Sequence, residues 1–227
     1  MMLRTPEPEL MDAPAQARAY AEADFSESNQ AFVDRFVALA ERNRREPGCA
    51  LDLGCGPGDI CIRLARALPD WQIVGLDAGP NMLELARAAV ESVALTDRID
   101  LVHDQVPCRL PPHEFTAIVS NSLLHHLPDP MSLWTTIAEQ APAGCLIQIM
   151  DLHRPDSEAR ARALVETHAA DAPQVLASDF YNSLLAAYTA SEVAVQLERC
   201  GLGQLEISLP SDRHWLVRGV MGAGRSE

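Results

Sequence analysis

The chain has 227 residues with 48% apolar side chains, enough for one α/β core with a modest insertion. Its formal charge is −14 and every cationic side chain is an arginine. A surface of that sign repels phosphate backbones and disfavours nucleic acid as a partner, and the cluster Arg42, Arg44 and Arg45 is interleaved with glutamates. There is no basic leader before an apolar stretch and no run of about eighteen apolar residues, so secretion and membrane spanning are not expected and a cytoplasmic location is.

Residues 1–27 read as an N-terminal arm and lid. The first 19 carry Pro6, Pro8 and Pro14 among acidic residues without periodicity and are expected to be loosely held. Residues 28–227 read as the main domain. Phe32, Val33, Phe36, Val37 and Ala40 recur at helical spacing, predicting a helix over 28–42 that Pro47-Gly48 ends. Strand and helix then alternate: strand 49–53, helix 59–68, strand 72–76, helix 80–93, strands 99–102 and 115–120, helix 130–140, strand 145–150. Such alternation specifies parallel strands joined by right-handed crossovers. A helical insertion spans about 155–188, broken near Pro173. Thr189 to Glu192 has the spacing of a capping box, and the runs 205–209 and 215–220 read as a closing antiparallel hairpin. The six cysteines form no C-x-x-C pair and fall mostly in apparent core segments, as small buried hydrophobes of a reducing compartment do. No metal site is expected.

The most informative segment is residues 50–59, a short apolar strand running into a glycine-rich turn and a helix. Glycines at 54, 56 and 58 allow a tight turn and close approach to a ligand. Nineteen residues past Gly58, Asp77 ends the next apolar run, where it is placed to accept from ribose hydroxyls. The spacing is G-x-G-x-G rather than the dinucleotide G-x-G-x-x-G, and Asp52 and Asp59 flank it. Two carboxylates repel a pyrophosphate and suit a cationic or amine-bearing ligand.

Leu51-Asp52-Leu53-Gly54-Cys55-Gly56-Pro57-Gly58 resembles the first motif of the class I S-adenosylmethionine (SAM)-dependent methyltransferases, hDhGxGxG, position by position. The resemblance implies a Rossmann-like, doubly wound, mostly parallel seven-stranded sheet of order 3-2-1-4-5-7-6 with the last strand antiparallel. To this the chain adds the helical lid insertion. It covers residues 30–150 closely and 190–220 in outline. It implies SAM as cofactor, S-adenosylhomocysteine as product, and a small-molecule acceptor.

Carried onto this chain, the cofactor-binding set comprises Asp52, Gly54, Cys55, Gly56 and Gly58 at the turn, with Asp77, Ala78 and Met82 around the ribose and adenine. Asp104 and Gln105 follow the third strand, and Asn121 and Ser122 pass the methionine portion. The segment Leu124-His125-His126-Leu127-Pro128-Asp129-Pro130 looks like the family's fourth motif, which implies His125 near the transferred methyl and His126 packing or capping. Asp151, His153 and Arg154 follow the fifth strand at the ligand edge. Asp151 and His153 are candidates to address the substrate and Arg154 to pair with a substrate anion, a surface ion pair being the alternative. Tyr181 and Asn182 in the insertion are acceptor-side candidates, with Tyr20, Asp24 and Phe25 completing the lid. For these five, ordinary helix packing is equally open. The catalytic candidates are thus His125, Asp151, His153 and Tyr181, and the substrate candidates Tyr20, Arg154 and Asn182. A SAM-modifying enzyme of the carboxy-SAM synthase type and a non-catalytic SAM-binding protein stay as alternatives. The acceptor, the atom methylated, the use of a base and the oligomeric state stay open.

Overall fold

A computed structural model describes residues 2–7, 12–110 and 115–222. The helices are α1 (Pro14–Glu22), α2 (Ser26–Arg42), α3 (Asp59–Ala67), α4 (Pro80–Ser92), α5 (Met131–Gln140), α6 (Glu158–His168), α7 (Gln174–Ala186) and α8 (Ala190–Arg199). The strands are β1 (Cys49–Leu53), β2 (Gln72–Asp77), β3 (Ile99–His103), β4 (Phe115–Asn121), β5 (Leu146–Leu152), β6 (Glu206–Ser208) and β7 (His214–Val220). They form one sheet of order β3-β2-β1-β4-β5-β7-β6. The pairs from β3 across to β5 are parallel, and β7 runs antiparallel to both its neighbours. This is the topology expected; with every crossover right-handed, the reversal of strand order between β1 and β4 sends the helices to opposite faces of the sheet.

Side-chain alternation along the strands builds a core on each face. Leu51, Leu53, Leu76 and Ile118 pack on one face with Trp134 and Trp215. Ala50, Ile73, Ala117 and Val119 pack on the other with Phe32, Phe36, Leu64 and Leu83. Gly75 lies where α3 crosses β2 most closely: a Cβ there would stand 2.9 Å from the Cys61 sulfur and 3.0 Å from that of Cys55. The cysteines are all unpaired and buried or half-buried.

Most boundaries agree with the periodicity to within two residues, and three differences affect the site. β5 extends through Asp151 and Leu152, so Asp151 belongs to a central strand and is 1% exposed. Leu124–His126 closes into a 3₁₀ turn that reads in sequence as loop. Third, the described residues of the N-terminal arm are docked rather than loosely held. Arg4 donates to the carbonyls of Ala186 at 2.5 Å and His125 at 2.9 Å, and its guanidinium lies 4.3 Å from the centre of the Tyr188 ring. Thr5 N donates to Leu185 O, and α1 carries a proline in its first turn, where the ring's fixed φ suits a helix start. The arm lacks periodicity because its anchors are polar groups, which leave no hydrophobic pattern.

Candidate functional site

The site lies at the carboxyl edge of β1, β2, β4 and β5. Gly54, Gly56 and Gly58 all take positive φ (73°, 52° and 84°), a region that costs other residues energy. A Cβ on Gly56 would meet nothing within 4 Å, so the backbone there is bare to an approaching ligand. Asp77, at the end of β2, accepts from Gly56 N and Gly79 N, each at 2.8 Å. These bonds tie the glycine turn to the start of α4. Burial raises the Asp77 carboxyl above its usual range, the two N–H groups oppose that, and nearby Asp12 adds to it.

Above the turn lies a cavity of about 180 Å³ bounded by Asp52, Gly54, Gly56, Asn121, Tyr20 and Asp24, among others. Asp52 is 1% exposed. Burial lifts its carboxyl to about 7, against the hydrogen bond it accepts from the Cys61 thiol. Asn121 has a buried Oδ1 without a hydrogen-bond partner, an acceptor available to an ammonium or hydroxyl. Ser122 takes a φ of 61°, and its N–H donates to Met150 O. Tyr20 stacks on Phe25 at 4.9 Å between ring centres. Burial, then the charges of Asp151, Asp77 and Asp59, push the Tyr20 hydroxyl to about 12, so it stays a neutral donor. Asp104 is exposed just past β3, where its Oδ1 caps Gln105 N. Ala78 and Met82 flank Asp77 at the start of α4, where Asp12 accepts from Asn81 N and Met82 N.

A second polar centre lies at the end of β5. His125 Nδ1 is 2.5 Å from Asp151 Oδ1, and Asp151 Oδ2 accepts from His125 N. Burial disfavours the charged imidazole, but Asp151 and Glu7 outweigh it and raise the His125 pKa; burial likewise opposes ionisation of Asp151, whose pKa His125 nevertheless lowers. Glu7 Oε1 lies 3.6 Å from His125 Nε2 and 3.2 Å from His126 Nδ1, and it accepts from Ser183 Oγ at 3.0 Å. Burial and the His125 charge lower His126 to about 3.

The structure brings His125 and Asp151 together, keeps Tyr20 within reach of the Asp151 charge, and separates His153, Arg154, Tyr181 and Asn182 from them. His153 N bonds to Arg213 O, beyond the last paired residue of β5. Tyr181 OH faces Glu158 at 3.4 Å, with the Arg162 guanidinium 5.8 Å from its ring, on the solvent side of the insertion. Asn182 is exposed. Arg154 is 4% exposed and bonds to Glu192, Ala187 O and Met2 O; it fastens α8 and the arm to the core rather than facing a ligand. Sequence reasoning missed Glu7, Arg4, Asp12 and Ser183, whose partners lie up to 182 positions away.

The topology and the glycine turn define the class: this is the fold of the class I SAM-dependent methyltransferases. Residues 50–141 match the family described as a methyltransferase domain. Among curated proteins, the chain is 35% identical over 117 residues to a trans-aconitate 2-methyltransferase of Methylobacterium radiotolerans, covering 50% of this chain and 42% of the relative. It is 33% identical over 98 residues to a release factor glutamine methyltransferase of Rhodopirellula baltica, covering 43% and 33%. The match to the first of these thus spans less than half of that relative's length. Among solved structures, the plantazolicin methyltransferase in complex with a triazolic desmethylPZN analog and SAH superposes with a TM-score of 0.68 at 14% identity, over 91% of this chain and 92% of that one. A SAM-dependent methyltransferase from Aquifex aeolicus gives 0.65 at 17%, over 91% and 97%. Among the described residues no helix is long and apolar enough to cross a membrane.

Proposed function

We propose that this protein transfers the methyl group of SAM to a small neutral acceptor and releases S-adenosylhomocysteine. The observation that carries the reading is the grip of Asp77 on Gly56 N and Gly79 N beside the bare glycine turn. It presents a carboxylate to ribose hydroxyls and an uncovered backbone to the rest of the nucleoside. Asp52 beside the cavity suits the cationic sulfonium and ammonium of SAM.

Methyl transfer is an in-line displacement: the acceptor's lone pair forms a bond to the methyl carbon as the carbon–sulfur bond breaks, and the acceptor loses its proton. The cofactor supplies the leaving group, so the protein's part is to align the acceptor, exclude water and receive the proton. The centre at His125, held by Asp151, is where the proton is received.

The name of the trans-aconitate relative suggests an organic-acid acceptor, and the charges of this site argue against one. Arg4 and Arg154 near the His125 centre are bound to carbonyls and Glu192, and Arg63 at the cavity is paired with Asp59 at 2.7 Å. A hydroxyl or amine without net negative charge fits better. Carboxy-SAM synthesis needs an arginine for the added carboxylate; Arg154 is committed, and Arg199 lines a groove between α5 and α8 with Asp129 and Glu192. The experiment is titration calorimetry of SAM and S-adenosylhomocysteine, followed by an acceptor panel of phenols, alcohols, amines and thiols. Absence of SAM binding to folded protein overturns the reading. Binding without turnover of any acceptor leaves the non-catalytic reading in its place.

A further inference from the structure

We propose that Glu7, His125 and His126 form a binding site for a divalent transition-metal ion of the zinc type. The three donor atoms, Glu7 Oε1, His125 Nε2 and His126 Nδ1, lie within 4.8 Å of one another. His125 Nδ1 is engaged by Asp151, which fixes the tautomer and leaves the Nε2 lone pair facing Glu7 at 3.6 Å. His126 Nδ1 faces the same oxygen at 3.2 Å, is buried, and has no aligned hydrogen-bond partner. An ion with bonds of about 2.0–2.1 Å in tetrahedral geometry sets neighbouring donors about 3.3–3.4 Å apart. These two separations bracket that edge length, and the third pair, His125 Nε2 and His126 Nδ1, lies within 4.8 Å.

The surroundings fit the same assignment. A carboxylate on the far nitrogen of a ligating histidine is the arrangement that orients such ligands and raises their basicity, and Asp151 supplies it. Ser183 Oγ donates to Glu7 Oε1 at 3.0 Å and holds the carboxylate in place. Glu7 and Asp151 together carry the two negative charges that a divalent ion neutralises. Two imidazoles and one carboxylate select a borderline ion such as zinc over magnesium or calcium, which take oxygen donors. Three protein donors leave a fourth position open, as in reactive rather than structural sites.

The site stands on its own geometry, independent of methyl transfer. If both hold, the ion occupies His125 Nε2, so only the ion-free protein can receive the acceptor's proton there.

The test uses untagged full-length protein. Metal content is measured by plasma mass spectrometry after desalting, and cobalt(II) is titrated in while visible absorption is followed. The expected result is near-stoichiometric zinc in the isolated protein, intense four-coordinate cobalt bands in the metal-stripped protein, and reversal of those bands by added zinc. Glu7→Gln and His126→Gln each weaken cobalt binding at least tenfold, whereas His168→Gln on the lid leaves it unchanged. Folded wild-type protein with neither retained metal nor cobalt bands overturns the proposal and leaves a proton as the cation of this cluster. The wild-type measurement decides even if a variant fails to fold. SAM calorimetry on the same samples reports the methyltransferase reading separately.

Discussion

The carboxylate of Asp151 holds His125 from two directions, taking the backbone N–H through Oδ2 at 3.2 Å and ring Nδ1 through Oδ1 at 2.5 Å. One strand residue therefore fixes both the position of the 3₁₀ turn and the tautomer of its histidine. Asp151→Ala removes both and strands a buried imidazole. We expect a loss of about 3 kcal/mol of stability, read by urea denaturation. His125→Gln should instead abolish turnover while leaving SAM affinity within about twofold, since a factor of two is only about 0.4 kcal/mol. Unchanged turnover in His125→Gln would remove this centre from the reaction.

Asp77→Ala tests the nucleoside end. It deprives Gly56 N and Gly79 N of their acceptor as well as removing the proposed ribose partner. SAM affinity should fall by about 1–3 kcal/mol, roughly 5- to 150-fold, as measured by calorimetry. An equal affinity in the variant would mean that the ribose binds elsewhere.

Asp52 gives the pH dependence. Burial raises its carboxyl to about 7, so it is neutral below that pH and anionic above. A cationic cofactor prefers the anion, and SAM affinity should therefore rise between about pH 6 and pH 8. In the free protein the sign reverses. A folded pKa above the unfolded one contributes stability that is present below about pH 4 and lost as pH rises through about 7. Asp52→Asn should flatten the affinity profile and raise the melting temperature at pH 8; a wild-type profile flat across that window would contradict the assignment.

Arg4 anchors the N-terminal segment through three carbonyls and the Tyr188 ring. Arg4→Ala should cost about 2 kcal/mol, the scale of charge-assisted hydrogen bonds. It should also expose the segment before Asp12 to limited proteolysis. Cleavage at the wild-type rate would show that the anchor is not what holds it.

The sheet and the cofactor turn are legible in the chain because both are local. Hydrophobic alternation reports burial on the two faces, and three glycines with Asp77 nineteen residues on report a backbone geometry that few other residues permit. The acceptor side is not local. Glu7 reaches His125 from 118 positions away, in a stretch whose prolines and acids read as unstructured. Arg154 follows a strand at the ligand edge, where an arginine reads as a substrate partner, yet the capping box at Thr189 places Glu192 against it at 2.6 Å. Tyr181 and Ser183 are two residues apart in α7, and helical geometry turns the first outward and the second toward Glu7. Composition marks the segment as polar and aromatic but cannot choose between its faces.

Asp12 caps α4 beside Asp77, and a Cβ on Gly79 would stand 2.6 Å from its Oδ1. Glu7, in the same N-terminal arm, meets His125. The Asp77 end and the His125 end of the sheet edge are thus both held by side chains of one N-terminal arm, so removing that arm would uncap α4 and unpair His125 together.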